Sequence, residues 1–402
     1  MRLEPIDPTD PRDVLRGLRG AVLGAGPAIA LGSMGPGPAG APGGMPSDVP
    51  SGTAVVVTTS GSTGHPKSVA ISRSALTSSA LATAERIGSG AWLLALPAGY
   101  IAGVQVLVRS LVADREPAIL AGSFSAQAFA AAAGSMASSV GGVRVPTYTS
   151  LVPAQLQTLL DAEASGVRTG LASFEAVLVG GQALSPVLAA RAAEAGVRIV
   201  RTYGSSETSG GCVYDGVPLR DVVLRIVDGE VQVSGPMLAD GYLGDPQRTD
   251  DVFVRDADGI RWYRTGDAGT FDGVLRVTGR LDNVIISGGV NISLDRVERI
   301  VRTLPGLEHA VVVPVPDERW GQASVVAVAA DPTSAAIAAL RIEVREAVAA
   351  ELGAPARPRG ILAIPKLPLL SSGKPDRTAL RALAEQAAQQ AAQKPGDGAP
   401  EQ

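Results

Sequence analysis

Residues 176–200 read AVLVGGQALSPVLAARAAEAGVRIV, a strand, a helix and a second strand in succession. The apolar run at 176–179 stops at Gly180 and Gly181. Ser185 then offers an N-cap with Pro186 at the first helical position, and Gly196 closes the helix before the apolar run at 197–200. Two strands joined by such a crossover lie parallel, and ligands of open α/β sheets gather beyond the carboxyl ends of the strands. The two glycines and, after the second strand, Tyr203 therefore stand where a ligand is expected.

The texture changes after Val222. VVLRIVDGEVQVSG carries an Asp-Gly turn and residues 262–280 carry another at Asp272 and Gly273, the pattern of short antiparallel strands. Beyond Asp282 a helix is expected at 293–304, with Val297, Ile300, Val301 and Leu304 on one face and a stop at Pro305 and Gly306. Strand-like 310–315 and 324–329 and a helix at 337–352 follow. The fold class is α/β: a large N-terminal domain (1–281) of mostly parallel sheets flanked by helices, with a small β subdomain at about 221–281. A small α+β C-terminal domain (282–384) comes next. Residues 31–52, almost all Gly, Pro, Ser and Ala, are expected to form a flexible loop, and 385–402 a largely disordered tail.

Composition removes several classes of function. Thirty-five basic against 39 acidic side chains leave a net charge of −4, unsuited to gripping nucleic acid. No apolar run approaches the length of a membrane span. Two histidines, His65 and His309, with no Gly-x-Ser-x-Gly elbow leave a Ser-His-Asp hydrolase nothing to work with, and they exclude a zinc-histidine cluster. The single cysteine, Cys212, forms no internal disulfide and fits a cytoplasmic location. With no base near it in sequence, it reads as a buried structural thiol.

Five short segments carry chemistry. After the strand-like 54–57 comes Thr58-Thr59-Ser60-Gly61-Ser62-Thr63-Gly64-His65-Pro66-Lys67, whose glycines let amides turn outward while five hydroxyls and a lysine donate to phosphate oxygens. It nearly spells the P-loop pattern, but Pro66 stands where that pattern requires glycine. Residues 201–208, RTYGSSET, offer an aromatic face, a hydroxyl and, in Glu207, a carboxylate for Mg²⁺. Then come YRTGD, ending in Asp267; GRLDNVIISGGVNI, from Gly279 to Ile292; and Ser372-Gly373-Lys374-Pro375.

In this order the five segments resemble the adenylate-forming superfamily of acyl-CoA synthetases, luciferases and peptide-synthetase adenylation domains, over roughly residues 53–380. The resemblance implies that Thr59, Ser60, Gly61, Ser62, Thr63, Gly64 and Lys67 hold the ATP phosphates. It implies that Gly180, Gly181, Gln182, Tyr203 and Gly204 border the adenine, that Ser206 touches phosphate and that Glu207 binds Mg²⁺. Asp267 and Arg280 would hold the ribose. Asp282 would be the hinge of a mobile small domain, Lys374 the lysine of the first half-reaction, and Gly288 and Gly289 the lining of the CoA path. Lys374, Glu207, Lys67 and Ser206 would then be the catalytic set.

Within the superfamily, LPAGYIAGVQVLVR (96–109), SLVPAQL (150–156) and GSSETSGGCVYDGVPL (204–219) are similar to the o-succinylbenzoate–CoA ligase family of menaquinone biosynthesis in its compact actinobacterial form. This implies a small carboxylic acid, ATP and CoA as the partners, with no nucleic acid and no membrane span; a homodimer is compatible with the sequence. Tyr100, Gly103, Ser150, Gln155, Ser209 and Gly210 would line the acyl pocket, with Thr149 and Arg109 as further polar candidates. Two alternatives stay open: another aryl or medium-chain acyl-CoA synthetase, and a stand-alone adenylation domain loading a carrier protein.

Overall fold

The computed structural model describes residues 1–31, 48–59, 67–136, 139–318, 320–331, 333, 336–370 and 373–393. The chain divides into two compact units, Met1–Thr265 with Thr270–Arg276, and Gly266–Gly269 with Val277–Gln402.

In the first unit the strand–helix–strand expected at 176–200 is present. Strands Ala176–Gly180 and Ile199–Ser205 pair in parallel, with Val177 opposite Ile199. Between them lies helix Pro186–Glu194, whose N-cap Ser185 accepts from the Leu188 amide. Successive strand residues face opposite ways: Ala176 and Leu178 enter one apolar cluster, Val177 and Val179 another. The strand is buried on both faces, as a parallel strand with helices on each side must be. Thr147–Leu151, Ala91–Leu94 and Ala118–Ile119 extend the parallel sheet on one side, and Gly210–Tyr214 and Val217–Pro218 add antiparallel strands on the other.

A second sheet joins Leu3–Ile6, Ala28–Leu31 and Thr53–Thr59 in parallel, then Lys67–Ser72 and Gly241–Tyr242 antiparallel. Thr59 and Lys67 are cross-strand partners. The glycine-rich segment therefore joins two antiparallel strands, where a P-loop would lead into a helix, in keeping with Pro66. Residues 60–66 lie outside the described residues. Helices Pro11–Leu23, Arg73–Ile87 and Ile101–Val112 fill the main core with Val14, Leu18, Leu76 and Leu107 against Val55, Val57 and Ile71. The Asp-Gly turn at 228–229, both residues at positive φ, joins Val223–Val227 to Glu230–Ser234 as an antiparallel hairpin.

In the second unit, Val290–Ser293, Val284–Ser287, Gly321–Ala329 and Val311–Asp317 form an antiparallel order, and Gly360–Ile364 pairs in parallel with Gly321–Ala329. Helices Leu294–Val301, Ala336–Leu352 and Arg377–Gln393 accompany it. Three boundaries differ from expectation. The first helix ends at Val301, before Leu304. The terminal helix runs to Gln393, since alanine and glutamine at 386–393 sustain it, so the expected disorder does not begin at 385. The loop expected at 31–52 is ordered at both ends. Leu31 is a buried strand residue, and Val49 is buried with its amide on the Met1 carbonyl; residues 32–47 lie outside the described residues. No described helix is long and apolar enough to cross a membrane.

Candidate active site

Glycine is required at two places near the carboxyl ends of the parallel strands. A Cβ on Gly180 would lie 2.2 Å from Thr202 Oγ1, and one on Gly204 would lie 2.0 Å from the Gly210 carbonyl, where the register slips between Tyr203 and Gly204. Gly181, at φ +79°, turns the chain away from the first strand toward Gln182. The Ile199–Ser205 strand runs directly into a 3₁₀ turn, Ser206–Thr208. Thr208 Oγ1 accepts from the Ser205 amide (2.8 Å) and donates to the Gly210 carbonyl (2.7 Å), which locks the turn and holds Ser206 and Glu207 at the strand end.

Glu207 is only 5% exposed. Its Oε1 accepts from the Tyr242 hydroxyl at 2.9 Å and from Lys67 Nζ at 3.4 Å, and the lysine also stands over the Tyr242 ring, 5.3 Å from its centroid. The backbone carbonyl of Glu207 accepts from the Ala239 amide. Three distant segments thus meet at one carboxylate. Burial, then the neighbouring Glu207 charge, pushes the Tyr242 phenol above its ordinary range, and the same two causes act on Tyr263. Both phenols stay neutral at working pH, and Tyr242 remains a donor to Glu207. Lys67 was legible from the sequence; Tyr242 was missed, because Gly-Tyr-Leu carries no signal apart from the strand it pairs with.

One carboxylate with a single oxygen engaged suits Mg²⁺, which keeps water and substrate phosphate among its six oxygen ligands. Among the described residues no group of three or more His, Cys, Asp or Glu side chains forms a protein-only metal site.

In the second unit, Arg280 donates from Nη1 to Asp267 (3.3 Å) and through Nε and Nη2 to the two oxygens of Asp282 (2.9 and 3.0 Å). Asp295 braces this segment from the first turn of Leu294–Val301: its carboxylate accepts from the Arg280 amide (2.7 Å) and from Asn283 Nδ2 (2.8 Å). The sequence reading missed Asp295, whose place two residues after the Ser293 N-cap was its one local signal. Gly288 and Gly289 form the turn between Val284–Ser287 and Val290–Ser293 at φ +58° and +81°. A Cβ on Gly288 would also strike the Trp320 ring at 2.5 Å. Lys374 is exposed in a tight loop where its carbonyl accepts from the Leu370 amide and Leu369 bridges Pro375. Ser371 and Ser372 lie outside the described residues.

The acyl-pocket candidates divide. Tyr100, half-buried, is the N-cap residue of Ile101–Val112, and Gly103 lets that helix approach the Pro97 carbonyl, which a Cβ would meet at 2.2 Å. Gly210, at φ +99°, faces the Gln105 side chain, and Ser150 is buried at its strand. Gln155 and Ser209 are engaged by backbone groups of the protein. The Gln155 amide accepts from the Val152 amide and donates to the Ala95 carbonyl, while the Ser209 hydroxyl donates to the Met237 carbonyl. Thr149 likewise donates to the Leu93 carbonyl. Cys212 is buried, and burial pushes its thiol up to about 12, so it is no nucleophile.

Comparison with known proteins shows the family. The model of the AMP-binding enzyme family matches residues 37–243, and that of the AMP-binding enzyme C-terminal domain matches 296–374. The "Probable 2-succinylbenzoate–CoA ligase" of Mycobacterium tuberculosis is 41% identical over 339 residues, covering 81% of this chain and 83% of the relative. The 2-succinylbenzoate–CoA ligase of Enterococcus faecalis is 31% identical, covering 82% and 69%. Among solved structures, the o-succinylbenzoate CoA synthetase MenE of Bacillus subtilis, in complex with the acyl-adenylate intermediate OSB-AMP, superposes with TM-score 0.66 at 26% identity, covering 84% and 70%. The amide bond synthetase McbA of Marinactinospora thermotolerans superposes with TM-score 0.70 at 28% identity, covering 96% and 80%. With both family models matched in sequence order and a relative 41% identical over 81% of its length, the chain belongs to the AMP-binding enzyme family.

Proposed function

We propose that the chain is an o-succinylbenzoate–CoA ligase of menaquinone biosynthesis, acting in the cytoplasm. The observation that carries this reading is the meeting of Lys67, Glu207 and Tyr242 at a strand end, in a chain 41% identical to a protein named for that reaction. In the first half-reaction the aliphatic carboxylate of the acid attacks the α-phosphorus of ATP, an O–P bond forms, and pyrophosphate leaves. In the second the CoA sulfur attacks the acyl carbon, a C–S bond forms, AMP leaves, and the thiol proton passes to solvent.

The first step builds negative charge in line with a departing pyrophosphate, so oriented cations and donors do the work and no histidine base is needed. Lys67 and the loop Thr59 to Gly64 would hold the outer phosphates, Ser206 the α-phosphate, and Gly180, Gly181, Gln182, Tyr203 and Gly204 the base. Asp267 and Arg280 would take the ribose. Lys374 would reach the reacting phosphate in one orientation of the small domain, and the Gly288–Gly289 turn would line the CoA path in another, with rotation at Asp282. Glu207 would hold Mg²⁺, which when bound neutralises phosphate charge.

The test is AMP and pyrophosphate release over a panel of carboxylic acids, with and without CoA. Pyrophosphate release that needs o-succinylbenzoate, followed by CoA-dependent AMP release, is expected. Equal turnover of unrelated fatty acids would replace this reading by a general acyl-CoA synthetase.

A further inference from the structure

Glu298 stands on helix Leu294–Val301 and is 6% exposed, and three groups meet its carboxylate. Arg302, on the next turn, reaches Oε1 at 2.8 Å and neutralises the charge locally. The Val312 amide donates to Oε2 at 2.9 Å. Arg377 then brings a second cation from 79 residues away: its Nη2 donates to both oxygens, at 2.9 and 2.7 Å, and its Nη1 donates to the Val312 carbonyl at 2.8 Å. A buried carboxylate needs a counter-ion, and Arg302 already supplies it. Charge balance leaves Arg377 unexplained.

Helix preference does not explain it either. Arg377 is the first residue of helix Arg377–Gln393, where the helix dipole disfavours a cation. What the position offers is reach to a sheet edge. Among the described strands Val311–Asp317 pairs with Gly321–Ala329 alone, so its other side is open. The amide and carbonyl of one strand residue point the same way, and those of Val312 point to the open side, where Glu298 accepts from the first and Arg377 donates to the second. The ion pair takes the place of one residue of a further strand and pins the start of the last helix to the sheet.

The pinned residue ends a stiff arm that begins at Lys374. The Lys374 carbonyl accepts from the Leu370 amide (2.8 Å), Leu369 bridges Pro375, and the Asp376 amide donates to the Pro368 carbonyl (2.9 Å). The Asp376 carboxylate accepts from the Ala379 amide (3.0 Å), which seats the arm on the helix. Pro375 has its φ fixed by its ring.

We infer that Arg377, held in the Glu298 fork, is the positioning residue of Lys374: it touches no reacting atom, and it sets where the arm presents the ammonium during adenylate formation. This role rests on the reading of Lys374 given under the proposed function. A preorganised donor works because it is already in place when charge develops, and a remote change that displaces it by about 1 Å costs up to about 100-fold.

The experiment is a double-variant cycle in the full-length chain, with the two half-reactions measured separately. Arg377→Met leaves Glu298 neutralised by Arg302. It should lower kcat for adenylate formation about tenfold or more, with KM for ATP and the transfer of a supplied acyl-adenylate to CoA each within about twofold. In the Lys374→Ala background the same substitution should cost less than about twofold further, because an arm without its ammonium has nothing left to place. Arg377→Gln is read in the same way and decides the matter if Arg377→Met does not fold. Losses that multiply in the double variant, or equal losses in both half-reactions, would mean a packing role only and overturn the inference. If Lys374→Ala lowers adenylate formation and the Arg377 variants do not, the inference fails alone and the reading of Lys374 stands. If Lys374→Ala itself leaves adenylate formation unchanged, that reading fails first and the inference falls with it.

Discussion

Arg280 grips Asp282 through a two-bonded fork, Nε to one carboxylate oxygen at 2.9 Å and Nη2 to the other at 3.0 Å. The residue proposed to hold the ribose is thereby tied to the residue proposed as the hinge, two positions away. Both side chains are partly exposed, 39% and 50%, so the pair contributes at most about 1 kcal/mol to stability. For the proposed hinge the expected consequence is kinetic: rotation at 282 would also release Arg280.

Asp282→Ala should therefore leave the midpoint of thermal unfolding within a few degrees of the unaltered protein. Asp282→Pro, which fixes φ at that position, should spare adenylate formation and slow thioester formation. Single-turnover kinetics of the two half-reactions separates them, and an unimpaired second step in the proline variant would move the hinge elsewhere.

Lys374→Ala should reduce adenylate formation by about 100- to 1000-fold, the loss of about 2.7 to 4 kcal/mol typical of one preorganised transition-state donor. Transfer of a supplied acyl-adenylate to CoA should be largely retained. Comparable damage to both steps would remove the idea that the loop at 369–375 serves only the first.

Tyr242→Phe leaves Glu207 buried with one donor fewer. A hydrogen bond to a charged group is worth about 1.5–3 kcal/mol, so urea denaturation should show a loss of that size. Glu207→Gln removes the charge instead, and the Mg²⁺ concentration for half-maximal pyrophosphate release should rise about tenfold or more. An unchanged Mg²⁺ dependence would assign the metal to another residue.

The buried Cys212 thiol sets an alkaline limit. Its folded value is pushed from 9.0 to about 12, so between those values the unfolded chain releases a proton that the folded chain keeps. Stability is unaffected by this group below pH 9 and falls as pH rises toward 12, by at most about 1.4 kcal/mol per unit. Cys212→Ala should flatten that fall in denaturation measured at pH 8 to 11 and retain activity. Rapid alkylation of the native protein at pH 8 would contradict the burial.

What the residues dictated by themselves is local. Ser185, Pro186 and the flanking apolar runs specify a helix between two strands because a cap, a fixed φ and a side-chain period are properties of neighbours in the chain. Asp228 and Gly229 specify a hairpin for the same reason. The motif from Thr58 to Lys67 reads as an anion loop, and Glu207 as a carboxylate for Mg²⁺.

What only the tertiary structure decided is who meets whom. Lys67 and Glu207 are 140 positions apart, Tyr242 and Glu207 35 apart, and no local pattern pairs them. They meet because Lys67–Ser72 takes Gly241–Tyr242 as its antiparallel neighbour, with Val69 opposite Tyr242. The fates of Gln155 and Ser209 were equally invisible, since whether a polar side chain serves a ligand or a backbone carbonyl depends on which carbonyls the packed helices and strands leave unpaired. Arg109 was named from the sequence as a polar candidate for the acyl pocket, with no local signal of how deeply it is buried. The packing of that helix against Trp92 and Tyr214 buried it, because the burial of a charge is set by the elements that close over it and not by the residues beside it.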